Sequence, residues 1–100
     1  MEGYIVLTAR NGNDAMSLAK NNTLDIIFLD VMMPDISGYD LCRNLRVLPN
    51  TSLIPIIMLT AMDSDSEKSM AKEAGANEVW SKPFDFELFS QRVKELIKPE

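Results

Sequence analysis

The sequence predicts an α/β fold: a parallel sheet with helices on both faces. Three observations lead there. Short β-forming apolar runs alternate with segments of helical period along the chain of 100 residues. The run Asp25–Leu29 is continuously apolar behind its first residue, as expected of a strand covered on both faces. The spacing leaves a helix between successive strands, which is the right-handed βαβ crossover.

Tyr4–Thr8 is a β-rich run ended by the turn signal Asn11-Gly12. Asn13–Asn21 reads as a helix with Ala15, Met16, Leu18 and Ala19 on its inner side, and Asp25–Leu29 follows as a strand. Ser37 is a good N-cap with Asp40 three residues on. The helix behind it carries Leu41, Cys42, Leu45 and Leu48 on one stripe, and Pro49-Asn50 stops it. Pro55–Leu59 is the next strand and runs into Thr60 and a polar stretch. The helix after that ends at Ala74, with Gly75 placed for the left-handed position beyond the helix end. Glu78–Ser81 is a short fourth strand broken by Lys82-Pro83. Asp85 caps a last helix whose buried stripe is Phe89, Val93, Leu96 and Ile97.

A chain this long is one domain at most, so residues 1–100 are expected to form a single unit. With 46% hydrophobic and 25% charged residues the composition is globular. A net charge of −5 argues against nucleic acid or an anionic membrane as partner. No apolar run approaches a membrane span, and the opening residues lack a basic signal-peptide region. The single cysteine, Cys42, excludes an internal disulfide and fits a reducing cytoplasm. It reads as a core residue, with a reactive thiol as the other possibility. The absence of histidine excludes Ser–His–Asp and Cys–His hydrolases and the common zinc sites.

Ligands of such sheets bind beyond the carboxyl ends of the strands. Three of those ends carry polar groups: Asp30, Thr60 and Lys82. Singly, each has an ordinary reading. Asp30 could cap a turn before Pro34, Thr60 could be a β-branched strand residue or an N-cap, and Lys82 a solvated end. Met32 and Met33 read as loop packing. Together the three suit one site. A carboxylate there can be base, metal ligand or nucleophile, and no second acid stands at a neighbouring strand end to form a glycosidase pair. An acid, a hydroxyl and an amine suit phosphoryl transfer to the carboxylate. Mg²⁺ is the ion expected to offset the charge, since it takes one or two carboxylates with water and phosphate oxygens.

The blocks LDVMMPDISGYDLCRNLR, IPIIMLTA, AGANEV and SKPF resemble the receiver domain of two-component response regulators, a CheY-like, flavodoxin-like fold. The likeness runs from ARNG through the closing helix. It implies that Asp30 accepts a phosphoryl group from a histidine kinase or phosphotransfer protein. It also implies that Thr60 is the switch hydroxyl, that Lys82 contacts the phosphate, and that Asp30 and the Met32 backbone carbonyl are Mg²⁺ ligands. A cis Lys82-Pro83 bond is implied as well. So is output through the face formed by Asp65–Ala74, Glu78–Ser81 and Asp85–Ile97. Such a module is not an enzyme beyond self-catalysed phosphoryl transfer to Asp30.

Two departures from the family pattern bear on function. Val79 stands where receivers carry an aromatic residue three positions before the lysine. Trp80 is no simple substitute, because successive strand residues point to opposite faces. The chain also opens at the family's second strand, so about four strands and four helices are expected, without the first strand, its acid pair and the first helix. The missing strand would lie between those matching Tyr4–Thr8 and Asp25–Leu29, leaving two apolar edges that invite dimerisation or strand exchange. Truncation is expected to weaken Mg²⁺ binding and phosphorylation. The competing reading is a pseudo-receiver that serves as an interaction or dimerisation scaffold without using Asp30.

Overall fold

The computed structural model describes residues 11–61 and 64–97 of the chain. The strand expected over Tyr4–Thr8 lies outside them. The described elements are α1 (Gly12–Asn21), β1 (Ile27–Asp30), α2 (Gly38–Val47), β2 (Ile56–Thr60), α3 (Asp65–Ala74), β3 (Glu78–Ser81) and α4 (Phe86–Leu96). The strands form a parallel sheet in the order β1-β2-β3. Helices stand on both of its faces, as the alternation of elements predicts.

β1 and β2 start and end slightly later than the apolar runs suggest. A strand lasts as long as its ladder, and Asp30 still pairs with Leu59 while Thr60 pairs with Ser81. Pro55 has no N–H to give, but its carbonyl accepts from the Ile27 N–H at 2.9 Å and leads into the ladder. At the start of α1, Asn11-Gly12 is a helix beginning rather than a free turn. The Asn11 side chain accepts from the Asp14 N–H at 2.8 Å, the bond that makes asparagine a good N-cap. Ser37, Ser64 and Asp85 cap the other three helices in the same way. Gly75 closes α3 at φ 101°, a conformation that favours glycine.

Side chains alternate strictly across the sheet. Ile27, Leu29, Ile56, Met58 and Val79 pack on one side with Ala19, Leu41, Cys42, Leu45, Ala71 and Ala74 of α1, α2 and α3. Ile26, Phe28, Ile57, Leu59 and Trp80 pack on the other with Phe89 and Val93 of α4. Trp80 meets Phe89 and Phe84 edge-on with ring centroids 5.2 and 5.9 Å apart. It therefore belongs to the α4 side, and Val79 to the side of α3. Cys42 is fully buried, and burial pushes its thiol pKa up against the pull of Arg46 and Arg43, as befits a core residue. Met33 packs against the core, but Met32 is 84% exposed, so the expectation that both methionines pack holds for one only.

The stripe of α2 accounts for its buried face but not for Arg46. Its guanidinium donates to the carbonyls of Ile54 at 2.6 Å and Gly75 at 2.8 Å and to the Asn77 Oδ1 at 2.8 Å. The Asn77 Oδ1 also accepts from the Ile56 N–H at 2.9 Å. One cation thus ties α2 to the starts of β2 and β3 and fixes which residues reach their far ends. No helix of the described residues is long and apolar enough to cross a membrane.

Backbone presses closely on backbone where α2 begins. A Cβ added at Gly38 would lie 2.5 Å from the Asp30 carbonyl oxygen and 2.8 Å from the Val31 Cα. Neither can yield without moving the tip of β1. Gly38→Ala is therefore expected to destabilise the fold by about 1–3 kcal/mol, as overpacking does, measured by denaturant unfolding. It is also expected to shift the amide resonances of Asp30 and Val31.

Candidate functional site

The parallel register brings the three strand ends together. The Val31 N–H donates to the Leu59 carbonyl at 3.0 Å, and the Lys82 N–H donates to the Thr60 carbonyl at 2.8 Å. The ladder thus continues one residue past β1 and β3 and places Asp30, Thr60 and Lys82 on three adjacent tips. Lys82 reaches over the middle strand, with Nζ 2.8 Å from the Asp30 Oδ2. The Asp30 Oδ1 accepts from the Met32 N–H at 3.0 Å. The Lys82-Pro83 peptide bond is cis, as the resemblance implies.

Thr60 differs from the other two. It shares the parity of Met58, so its side chain lies on the α3 side of the sheet, where it is 4% exposed. Its hydroxyl donates to the Glu67 Oε2 at 3.1 Å. The structure joins Asp30 and Lys82 directly and sets Thr60 between them by backbone, with this hydroxyl bond pointing toward α3.

Partial burial pushes the Asp30 carboxyl pKa up. Hydrogen bonds from Lys82 and from the Met32 N–H, with the Lys82 charge, outweigh it and hold the carboxyl below its ordinary value. A carboxylate held ionised, with one oxygen on an ammonium and the other on a backbone N–H, is a poor general acid. It is suited to act as nucleophile or metal ligand. The described residues contain no group of three or more Cys, Asp or Glu side chains arranged for a metal. A carboxylate and a carbonyl are a sparse set, yet Mg²⁺ commonly takes one or two carboxylates with waters and phosphate oxygens. On those terms Asp30 and the Met32 carbonyl are the residues that would hold it.

Two residues that pattern reading passed over belong beside the site. Asp35, in the loop after β1, accepts from the Gly12 N–H at 2.7 Å and the Asn13 N–H at 3.2 Å. The Gly12 bond leads in holding its carboxyl below the ordinary value. It thereby pins the loop that carries Met32 to the start of α1. Glu67 is the other. Its sequence signal was present in Ser64-Asp-Ser-Glu67, the spacing of a capping box.

Comparison with known proteins identifies the family. The family model described as the response regulator receiver domain matches residues 1–94. The chain belongs to the response regulator receiver family. It is 38% identical over 97 residues to the response regulator PleD of Caulobacter vibrioides, covering 97% of this chain and 21% of that protein. Less than half the length of other curated relatives is spanned as well. Among solved structures, the chemotaxis protein CheY4 of Vibrio cholerae superposes with a TM-score of 0.88 at 32% identity, over 94% of this chain and 78% of that one. A second is the receiver domain of a sensor histidine kinase from Pseudomonas aeruginosa, which holds a magnesium ion in its active-site cleft. It matches with a TM-score of 0.86 at 29% identity, over 95% of this chain and 78% of that one. The fold is thus that of CheY-like receivers, and the family is one of two-component signalling.

The receiver's Asp30–Lys82 pair has a definite pH signature. Because the folded carboxyl titrates below its unfolded value, the pair adds stability above about pH 4. That stability is lost as pH falls through the folded-state midpoint. Both side chains are nearly half exposed, 44% and 46%, so its worth is at most about 1 kcal/mol. In a ¹³C titration the Asp30 carboxyl is expected to have a midpoint below the ordinary carboxylate value, and Lys82→Met is expected to raise it.

Proposed function

We propose that Asp30 is the phosphoacceptor of this receiver, supplied by a histidine kinase or a phosphotransfer protein. The observation that best supports this reading is the Lys82 ammonium, 2.8 Å from the Asp30 carboxylate across the middle strand. It holds the nucleophile ionised and places a cation where the charge of an incoming phosphoryl group must be met.

In the transfer, an Asp30 carboxylate oxygen forms a bond to phosphorus. The bond from phosphorus to the donor's imidazole nitrogen breaks, its electron pair stays on that nitrogen, and the imidazole takes up a proton from solvent. The product is an acyl phosphate on Asp30. Lys82 stays close enough to pair with a phosphoryl oxygen, and Thr60 is the hydroxyl donor on the neighbouring tip. Mg²⁺, held by Asp30 and the Met32 carbonyl, would supply positive charge to offset carboxylate and phosphate together. The output surface in this reading is formed by α3, β3 and α4, and the setting is cytoplasmic.

Incubation of the folded chain with Mg²⁺ and acetyl phosphate is expected to add one phosphoryl group by intact mass. Asp30→Asn should abolish the adduct, and Lys82→Ala should slow its formation by about 10²-fold, the usual worth of one charge-stabilising donor. A folded chain that takes no label would contradict the proposal and favour a scaffold that never uses Asp30.

A further inference from the structure

Ser64, Asp65, Ser66 and Glu67 have the order of a capping box, in which the serine hydroxyl accepts from the N–H three residues on and the glutamate turns back to the serine N–H. Only half of that box is made. The Ser64 Oγ accepts from the Glu67 N–H at 3.2 Å. The Glu67 carboxylate is not folded back on Ser64; its Oε2 accepts from the Thr60 hydroxyl at 3.1 Å. Glu67 is half-buried while its helical neighbours Asp65, Ser66 and Lys68 are exposed, so the side chain is drawn inward over the end of the sheet. Tyr39 of α2 agrees with that placement: after its own burial, the charge of Glu67 is what pushes its phenol pKa up.

We propose that Glu67 is a positioning residue for the Thr60 hydroxyl, holding it toward α3 until a phosphoryl group on Asp30 draws it away, whereupon Glu67 turns back to complete the cap of α3. This rests on the reading of Asp30 as phosphoacceptor. The physical basis is a competition for one donor. A phosphoryl dianion at the tip of β1 is a stronger acceptor than a carboxylate for the hydroxyl one strand away. The same dianion repels Glu67. The released carboxylate has an alternative partner already at hand, the Ser64 N–H at the positive end of the α3 dipole. The start of α3 would therefore change between two hydrogen-bonded arrangements. No ring at position 79 is needed to carry the change, since Glu67 is itself part of α3.

The test is amide hydrogen exchange and NMR at residues 64–68, with and without labelling by acetyl phosphate and Mg²⁺. In the wild-type chain, labelling is expected to slow exchange at the Ser64 amide several-fold. Glu67→Ala should lack that slowing and accept label about fivefold faster, the worth of one hydrogen bond of ordinary net strength. Glu67→Gln keeps an acceptor oxygen but loses the charge, so it should fall between wild type and Glu67→Ala in both readouts, whereas a merely space-filling role would leave it at wild type. Thr60→Val separates this inference from the phosphoacceptor reading, because it removes the donor without any phosphoryl group. It should slow exchange at Ser64 in the unlabelled chain, and Thr60→Val with Glu67→Ala should not. If Asp30 takes no label yet Thr60→Val gives that protection, the phosphoacceptor reading fails and the competition for Glu67 stands. If Thr60→Val leaves Ser64 unchanged, or labelled wild type shows no slowing there, the competition is refuted.

Discussion

The site depends on the register of the sheet. Asp30, Thr60 and Lys82 are far apart in the chain, and only the parallel ladder makes them neighbours. Two backbone bonds hold that arrangement at the functional end: Val31 N–H to the Leu59 carbonyl and Lys82 N–H to the Thr60 carbonyl. A slip of one residue would turn every strand side chain to the opposite face. It would carry Thr60 off the α3 side and part Lys82 from Asp30. At the other end of the sheet the Arg46 guanidinium binds α2 to the starts of β2 and β3. Register is thereby fixed at one end and used at the other.

Charge at the site follows from that placement. Asp30 closes a strand whose other residues pack into two apolar clusters, so some of its water is lost. Lys82 and the Met32 N–H replace it. The result is a carboxylate kept ionised at a solvent-facing tip, the state a nucleophile requires. The close packing of Gly38 on the Asp30 carbonyl and the bonds from α1 to Asp35 hold the loop after β1 on both sides. The loop beside the Asp30 tip is thus already organised.

Much of this was legible in the sequence. Apolar runs, caps at Ser37 and Asp85, and Gly75 beyond α3 located the elements, because each reflects a local preference. The meeting of Asp30, Thr60 and Lys82 was legible because all three follow apolar runs in a parallel pattern. The direction of the Thr60 hydroxyl was not: it depends on strand parity and on where α3 crosses the sheet. Arg46 was missed because its partners are carbonyls spread over distant turns, which leave no periodic trace. Met32 was misread as packing because its side chain is exposed while its backbone does the work. Glu67 carried a local signal, the capping-box spacing, but tertiary structure diverts its carboxylate to Thr60. The departure at Val79 was readable, and so was the alternation that places Trp80 on the α4 side, opposite Val79.

The most direct test of the account is the chemical identity of the labelled residue. An acyl phosphate is reduced by borohydride to an alcohol, which converts aspartate to homoserine, whereas a phosphate ester on serine or threonine is not. After labelling and reduction, peptide mapping is expected to find homoserine at position 30 alone. Homoserine at another aspartate, or a phosphoryl group that survives reduction on a hydroxyl residue, would contradict the account.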